Sequence, residues 1–169
     1  MNTIPIAKHP HWADALDGSQ WVSYGITGDP SAPGYFVVAN GTIVTFTQTF
    51  FLNGTPLTGS VGVMADDATS VILNGMVLMI ESSQPGFLSP ATVNLTPALH
   101  SGLNTLQFQV AQRHLVSFGL DYIGSASSTA SPEPSSVALF GFGLAGLSLA
   151  LRWRRGKAAG FVPGPEFHS

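Results

Sequence analysis

The clearest pattern in the chain is alternation. Val44, Phe46, Phe50 and Leu52 alternate with Thr45, Thr47, Thr49 and Phe51. A period of two in β-branched and aromatic residues fits a strand with one buried face. Gln48 interrupts the apolar side. Leu106, Phe108 and Val110 alternate with Gln107 and Gln109, and Phe118, Leu120 and Tyr122 alternate with Gly119, Asp121 and Ile123. Asn74-Gly75 separates the apolar stretches 71–73 and 76–78. Asn-Gly accepts the positive φ values of a type I′ turn, whose twist suits a two-stranded hairpin. Shorter strand candidates lie at 21–24, 35–39, 61–65 and 92–95, with turn signals at Gly28-Asp29-Pro30, Asn40-Gly41, Asn53-Gly54, Gln84-Pro85-Gly86 and Ser101-Gly102. No helical periodicity precedes residue 135. The pattern predicts an all-β fold over residues 1–126, an antiparallel β-sandwich or jelly roll of about eight or nine strands.

The pattern changes after that. Residues 125–134 read SASSTASPEP, small, polar and broken by proline. Such a stretch buries no apolar surface and reads as a flexible linker, with 127–134 as its minimal extent. Residues 135–151 then run without a charge. As a helix they span roughly 25 Å, near the lower limit for a hydrocarbon core of ~30 Å. Gly141, Gly143 and Gly146 are compatible with a membrane helix, and Trp153 suits the interface. Arg152, Arg154 and Arg155 close the run, so residues 135–155 read as one transmembrane helix with a basic stop, and 156–169 as a disordered tail.

Charge and composition sharpen this division. Four of the six Lys and Arg residues lie between Arg152 and Lys157. Positive charge is retained on the cytoplasmic side, which puts the β domain outside. The start, MNTIPIAKHPHWADAL, lacks the early basic segment and apolar core of a signal peptide. Either the true start lies upstream or export uses another route; a tail-anchored β domain facing the cytoplasm is the competing arrangement. Upstream, Lys8 and Arg113 face seven acids, Asp14, Asp17, Asp29, Asp66, Asp67, Glu81 and Asp121. No basic stripe is available for phosphates, so nucleic-acid binding is not expected. The chain has no cysteine, which removes disulfides and thiol chemistry.

Candidate chemistry in the β domain is sparse. Asp66-Asp67 offers paired carboxylates, which suit calcium or, more simply, a solvated turn before a strand. No calcium-loop motif accompanies them, and no cofactor is expected. Asp67 with Asp121 or Glu81 is a conceivable glycosidase pair, but no cleft is legible, and the reading is non-enzymatic. His9-Pro10-His11 could present two imidazoles, with no third ligand at a recognisable spacing, and His100 and His114 stand apart; no metal site is expected. Trp12, Trp21, Tyr24, Tyr35 and Tyr122 could stack on sugar rings, with core packing as the simpler alternative. The ligand-binding candidates are Trp12, Trp21, Asp66, Asp67 and Asn74.

The order of Ser131-Pro132-Glu133-Pro134, an apolar helix and an arginine cluster resembles the PEP-CTERM sorting signal of Gram-negative bacteria. The resemblance covers about residues 131–155. It implies export, transient anchoring in the inner membrane, recognition and cleavage by an exosortase, and delivery to the cell surface or extracellular matrix. By position, Pro132, Glu133 and Pro134 correspond to the sorting motif and Arg152, Arg154 and Arg155 to the retention cluster. This chain continues through GKAAGFVPGPEFHS, whereas members of that family usually end soon after the arginines. The stretches Asp66-Asp67, 71–75, 102–108 and 118–122 resemble galactose-binding-like jelly rolls over about residues 9–124. That resemblance implies an architectural role for these motifs. The resulting expectation is a non-enzymatic surface or matrix protein, with a surface-anchored carbohydrate-binding module as the alternative and extracellular polysaccharide as its partner.

Overall fold

The computed structural model describes residues 3–82, 86–114 and 116–129. Nine strands appear among them: β1 (Ile4–Pro5), β2 (Val22–Ser23), β3 (Ile43–Leu52), β4 (Thr55–Asp66), β5 (Ala68–Leu73), β6 (Met76–Met79), β7 (Ala91–Asn94), β8 (Gly102–Ala111) and β9 (Gly119–Thr129). A 3-10 turn at Thr96–Ala98 separates β7 from β8. All strand pairs are antiparallel. They form a five-stranded sheet, β1-β2-β9-β4-β7, and a four-stranded sheet, β3-β8-β5-β6. The all-β fold read from the alternation is therefore present.

The core lies between the sheets. Phe46, Val71, Leu73, Leu106, Phe108 and Val110 from the four-stranded sheet meet Val61, Val63, Ala65 and Leu120 from the other, with Phe118 just ahead of β9. Each large apolar side chain removed from water contributes about 1.5–3 kcal/mol. The period-two pattern holds in β8, where Leu106, Phe108 and Val110 are buried and Gln109 faces solvent. In β9 it holds for one face only. Leu120 points to the main core, but Asp121 is fully buried as well. The reason is the N-terminal segment, which covers the outer face of the five-stranded sheet. Trp12, Trp21 and Met64 form a second apolar cluster there, joined by Ile6, Leu16 and Phe87. Gly119 permits the approach, since a Cβ at that position would lie 2.8 Å from the Trp12 ring.

Two local expectations are corrected. Residues 35–39 form no strand; Tyr35 N donates to Ala32 O and Phe36 N to Ile26 O, so local turns replace a ladder. The linker begins later than its composition suggested. β9 continues to Thr129, pairing Ser125–Thr129 with β4 down to Thr55. Small polar side chains bury little, but backbone groups pair wherever a neighbouring strand is offered. Contacts divide the chain into Met1–Ala130 and Ser131–Ser169. The expected transmembrane helix and basic stop at 135–155, the PEP triplet and the expected tail at 156–169 lie outside the described residues. No described helix is long and apolar enough to cross a membrane.

Candidate functional site

Asp67 is the single residue between β4 and β5, where the chain passes from one sheet to the other. Its position at a corner of the sandwich puts it beside Asp66 at the end of β4, joined through a cis peptide bond. Three separate segments converge on this corner. The N-terminal segment brings His9, His11 and Trp12, the loop before β7 brings Phe87, and the loop after β8 brings His114 and Val116. Together with the two aspartates they line a cavity of about 430 Å³.

The two carboxylates have different partners. Asp66 Oδ2 accepts the Trp12 indole N–H at 2.8 Å. Asp67 Oδ2 accepts the backbone N–H groups of Arg113 at 2.6 Å and His114 at 3.2 Å, and its Oδ1 lies 2.8 Å from His114 Nδ1. Burial, reinforced by a hydrogen bond that its protonated form donates to Asp67 and by the Asp67 charge, pushes the Asp66 carboxyl up to about 7. Burial also pushes Asp67 upward, but the His114 ring, the Arg113 amide and Asp66 together hold it below the usual carboxylate range. The pair therefore divides into one carboxyl that holds a proton through mildly acidic pH and one carboxylate that stays charged.

The histidines are ordered by their neighbours. His9 Nδ1 accepts the backbone N–H of His11 at 3.2 Å, and the two rings meet edge-on with centroids 5.1 Å apart. Burial, with the His11 charge adding to it, lowers the His9 pKa against the opposing pull of Asp29. The His114 side chain is 69% exposed, and its Asp67 partner turns Nδ1 inward.

The expected site residues separate into two groups. Trp12, Trp21, Asp66 and Asp67 fall within one region. Trp12 and Trp21 pack on each other with centroids 4.3 Å apart and are both nearly inaccessible, as in the core packing named above as the simpler alternative to sugar stacking. Asn74 lies elsewhere, in the β5–β6 turn at φ 52°, donating to Ala98 O and Asn104 Oδ1 and accepting from Thr105 N. Tyr122 packs on Phe108 and Tyr24 on Phe118 in the core. Tyr35 donates to Val116 O.

The conceivable acid pairs do not share a cleft. Asp121 is buried and accepts the Leu16 N–H at 2.8 Å, while Glu81 pairs with Arg113 at 2.8 Å. No group of three or more His, Asp or Glu side chains among the described residues is placed to hold a metal ion. The oxygens of Asp66 and Asp67 named above already serve protein donors, which leaves them poorly placed as calcium ligands. Sequence reading missed the meeting of His9 and His11 with His114 and Phe87. The H-x-H spacing was visible, but its partners lie about a hundred and about eighty residues away, and no local pattern encodes that distance.

The corner combines a proton-holding carboxyl, a charged carboxylate, imidazole rings and the edges of aromatic rings, chemistry of the kind that small-molecule sites use to fix a ligand's orientation.

The sandwich is similar to part of the α-L-rhamnosidase of Streptomyces avermitilis, whose structure was solved in complex with L-rhamnose. The two share 20% identity with a TM-score of 0.54, over 71% of this chain and 11% of that one. The likeness is one of fold, and this chain spans only about a tenth of that enzyme. No curated protein matches the sequence. The C-terminal region gives the sharper result: residues 132–155 match the family model for the PEP-CTERM protein-sorting motif, and this chain carries that motif.

Proposed function

We propose that this chain is an exported, non-enzymatic surface or matrix protein whose β-sandwich is the cargo and whose C-terminus is the address. The observation that carries this reading is the sorting-motif match at residues 132–155. The strand order supports it, because β9 ends at Thr129 and the ladders of both sheets close before the motif begins. An exosortase recognises Pro132-Glu133-Pro134. The apolar run 135–151 holds the chain in the inner membrane, and Arg152, Arg154 and Arg155 keep the cytoplasmic side, leaving the sandwich outside. Expression in paired hosts with and without an exosortase tests this. The sandwich is expected at the surface or in the medium of the first host and in the membrane fraction of the second. Identical fractionation in both would remove the reading.

A second reading, that the sandwich binds carbohydrate, is favoured by the cavity at the Asp66–Asp67 corner. Its imidazoles and carboxyl groups match the donors and acceptors of a polyhydroxylated ring, and Trp12 and Phe87 supply apolar edges. L-rhamnose is a reasonable first probe, given the fold shared with part of a rhamnosidase. Titration of the chain with rhamnosides and a glycan array is the test. Binding that is weakened by His114→Ala supports the site; no binding at millimolar sugar removes it.

A further inference from the structure

One lateral edge of the sandwich is left uncovered among the described residues. β3 is the last strand of the four-stranded sheet, with β8 on one side and no strand on the other among the described residues. In the facing sheet, β2 pairs with β9 at Leu120, so among the described residues β9 beyond that point has β4 as its one neighbouring strand. Between these edges lies an apolar cavity of about 340 Å³, lined by Phe50, Phe51, Leu52, Leu106, Tyr122 and Ala126, among others.

The register identifies the open backbone groups. Thr105 N and O both bond to Asn74, toward β5, so the even-numbered residues of β8 serve β3. Phe46 faces Phe108 in that ladder, so the even-numbered residues of β3 hold it. Ile43, Thr45, Thr47, Thr49 and Phe51 therefore direct their N–H and C=O groups to the open side. Gln48 agrees with this, since its side-chain amide reaches round to Thr49 O at 2.8 Å.

Exposed edges are normally blunted by lysine, proline, a bulge or short length. β3 has none of these: it is ten residues long, IVTFTQTFFL, without charge or proline, and its register with β8 is unbroken. Ile43 and Phe51 are both 65% exposed. The strand is also self-complementary. Turned about Thr47, Ile43 faces Phe51, Val44 faces Phe50, Thr45 faces Thr49 and Phe46 faces Gln48. Every pair lies on one face of the sheet, and the open backbone groups meet as hydrogen-bonded pairs.

We propose that β3 pairs antiparallel with β3 of a second copy about a twofold axis through Thr47, joining two four-stranded sheets into one. Charge permits it, since neither β3 nor the β9 stretch 122–129 carries a charged side chain, and two acidic domains meet without like-charge opposition. Size permits it too. Ten residues make an edge roughly 34 Å long. A two-sheet seam about 20 Å across then offers roughly 700 Å² per copy, close to the ~800 Å² of a stable interface. Pairing through β3 is independent of sorting at residues 132–155 and requires no exosortase.

The absence of cysteine makes the test direct. In the full chain, purified in mild detergent, Thr47→Cys places two thiols across the axis with Cα atoms about 5.5 Å apart, within disulfide range. Copper–phenanthroline oxidation is expected to give a covalent dimer as the main product, while Gln109→Cys, exposed on the neighbouring strand, stays monomeric. Thr45→Lys with Thr49→Lys is expected to weaken dimerisation by about tenfold or more, because like charges then face each other. Thr45→Lys with Thr49→Glu is expected to restore it, and circular dichroism checks that each variant is folded. A folded Thr47→Cys chain that stays monomeric overturns the proposal. So does equal cross-linking through Gln109→Cys, which would mean association through the apolar tail or random collision.

Discussion

Trp12 and Asp66, 54 positions apart in the chain, are joined in the buried interior by an indole N–H donating to a carboxylate oxygen at 2.8 Å. This bond ties the N-terminal segment to the end of β4 and forms one wall of the corner cavity. It also explains how the five-stranded sheet can be covered on its outer face by a segment with almost no regular structure. The segment is anchored by side chains, with the Trp21 indole donating to Ala13 O and Asp121 accepting from Leu16 N.

Replacing Trp12 by Phe keeps most of the apolar contact but leaves Asp66 Oδ2 without its donor. The expected cost is about 1–3 kcal/mol. Trp12→Ala adds the loss of packing against Trp21 and Met64, for about 3–5 kcal/mol in total. Urea unfolding of residues 1–130, followed by far-UV circular dichroism, measures both. A Phe variant as stable as the parent would show that the bond contributes nothing net.

The aspartate pair makes stability depend on pH in two windows. Asp66 has a folded-state pKa raised from 3.8 to about 7, so its contribution is fully present below about 4 and is lost as the pH rises toward 7. Asp67 is shifted the other way, so its contribution is present above about 4 and is lost as the pH falls further. Asp66→Asn is expected to flatten the decline in stability between pH 4 and 7, leaving the acid limb in place. Denaturation midpoints of parent and variant across pH 3–8 check the sign. An unchanged slope would place the titrating group elsewhere.

Asn74 is an architectural residue, and two substitutions separate its roles. Asn74→Gly keeps the positive φ but loses the bonds to Ala98, Asn104 and Thr105, at an expected cost of about 1–3 kcal/mol. Asn74→Ala loses the same bonds and keeps a Cβ in the left-handed region without the polar side chain that lets Asn adopt it, which makes it about 1–2 kcal/mol worse than Gly. Thermal unfolding of the two variants gives the order. If Ala is as stable as Gly, the turn does not constrain the backbone.

The strands that carry the core were legible because their side chains alternate: β3, β8 and the β5–β6 hairpin follow from residues 44–52, 106–110 and 71–78. The strand β4 was legible only at Val61 and Val63. Its first half, Thr55 to Gly59, contains proline and glycine and is held by backbone pairing with the equally featureless Ser125–Thr129. Asp121 reads as a surface residue from its alternation with Leu120 and Tyr122, yet it is buried, since nothing in β9 announces that the N-terminal segment will cover it. The site was half legible. Asp66, Asp67 and Trp12 stood out, whereas His114 reached the corner through the fold alone, held there by Asp67. The sorting motif was legible throughout because its information is linear: a triplet, an apolar run and a basic stop.

Sorting by residues 132–155 carries this sandwich out of the membrane in the function proposed above. Its most direct measurement is the intact mass and cellular location of the chain in an exosortase-proficient host, compared with a variant in which Pro132, Glu133 and Pro134 are all alanine. The parent chain is expected to be released outside the inner membrane with its C-terminal segment removed, and the variant to keep its full mass and stay in the membrane fraction. Parent and variant with the same mass and the same location would contradict it.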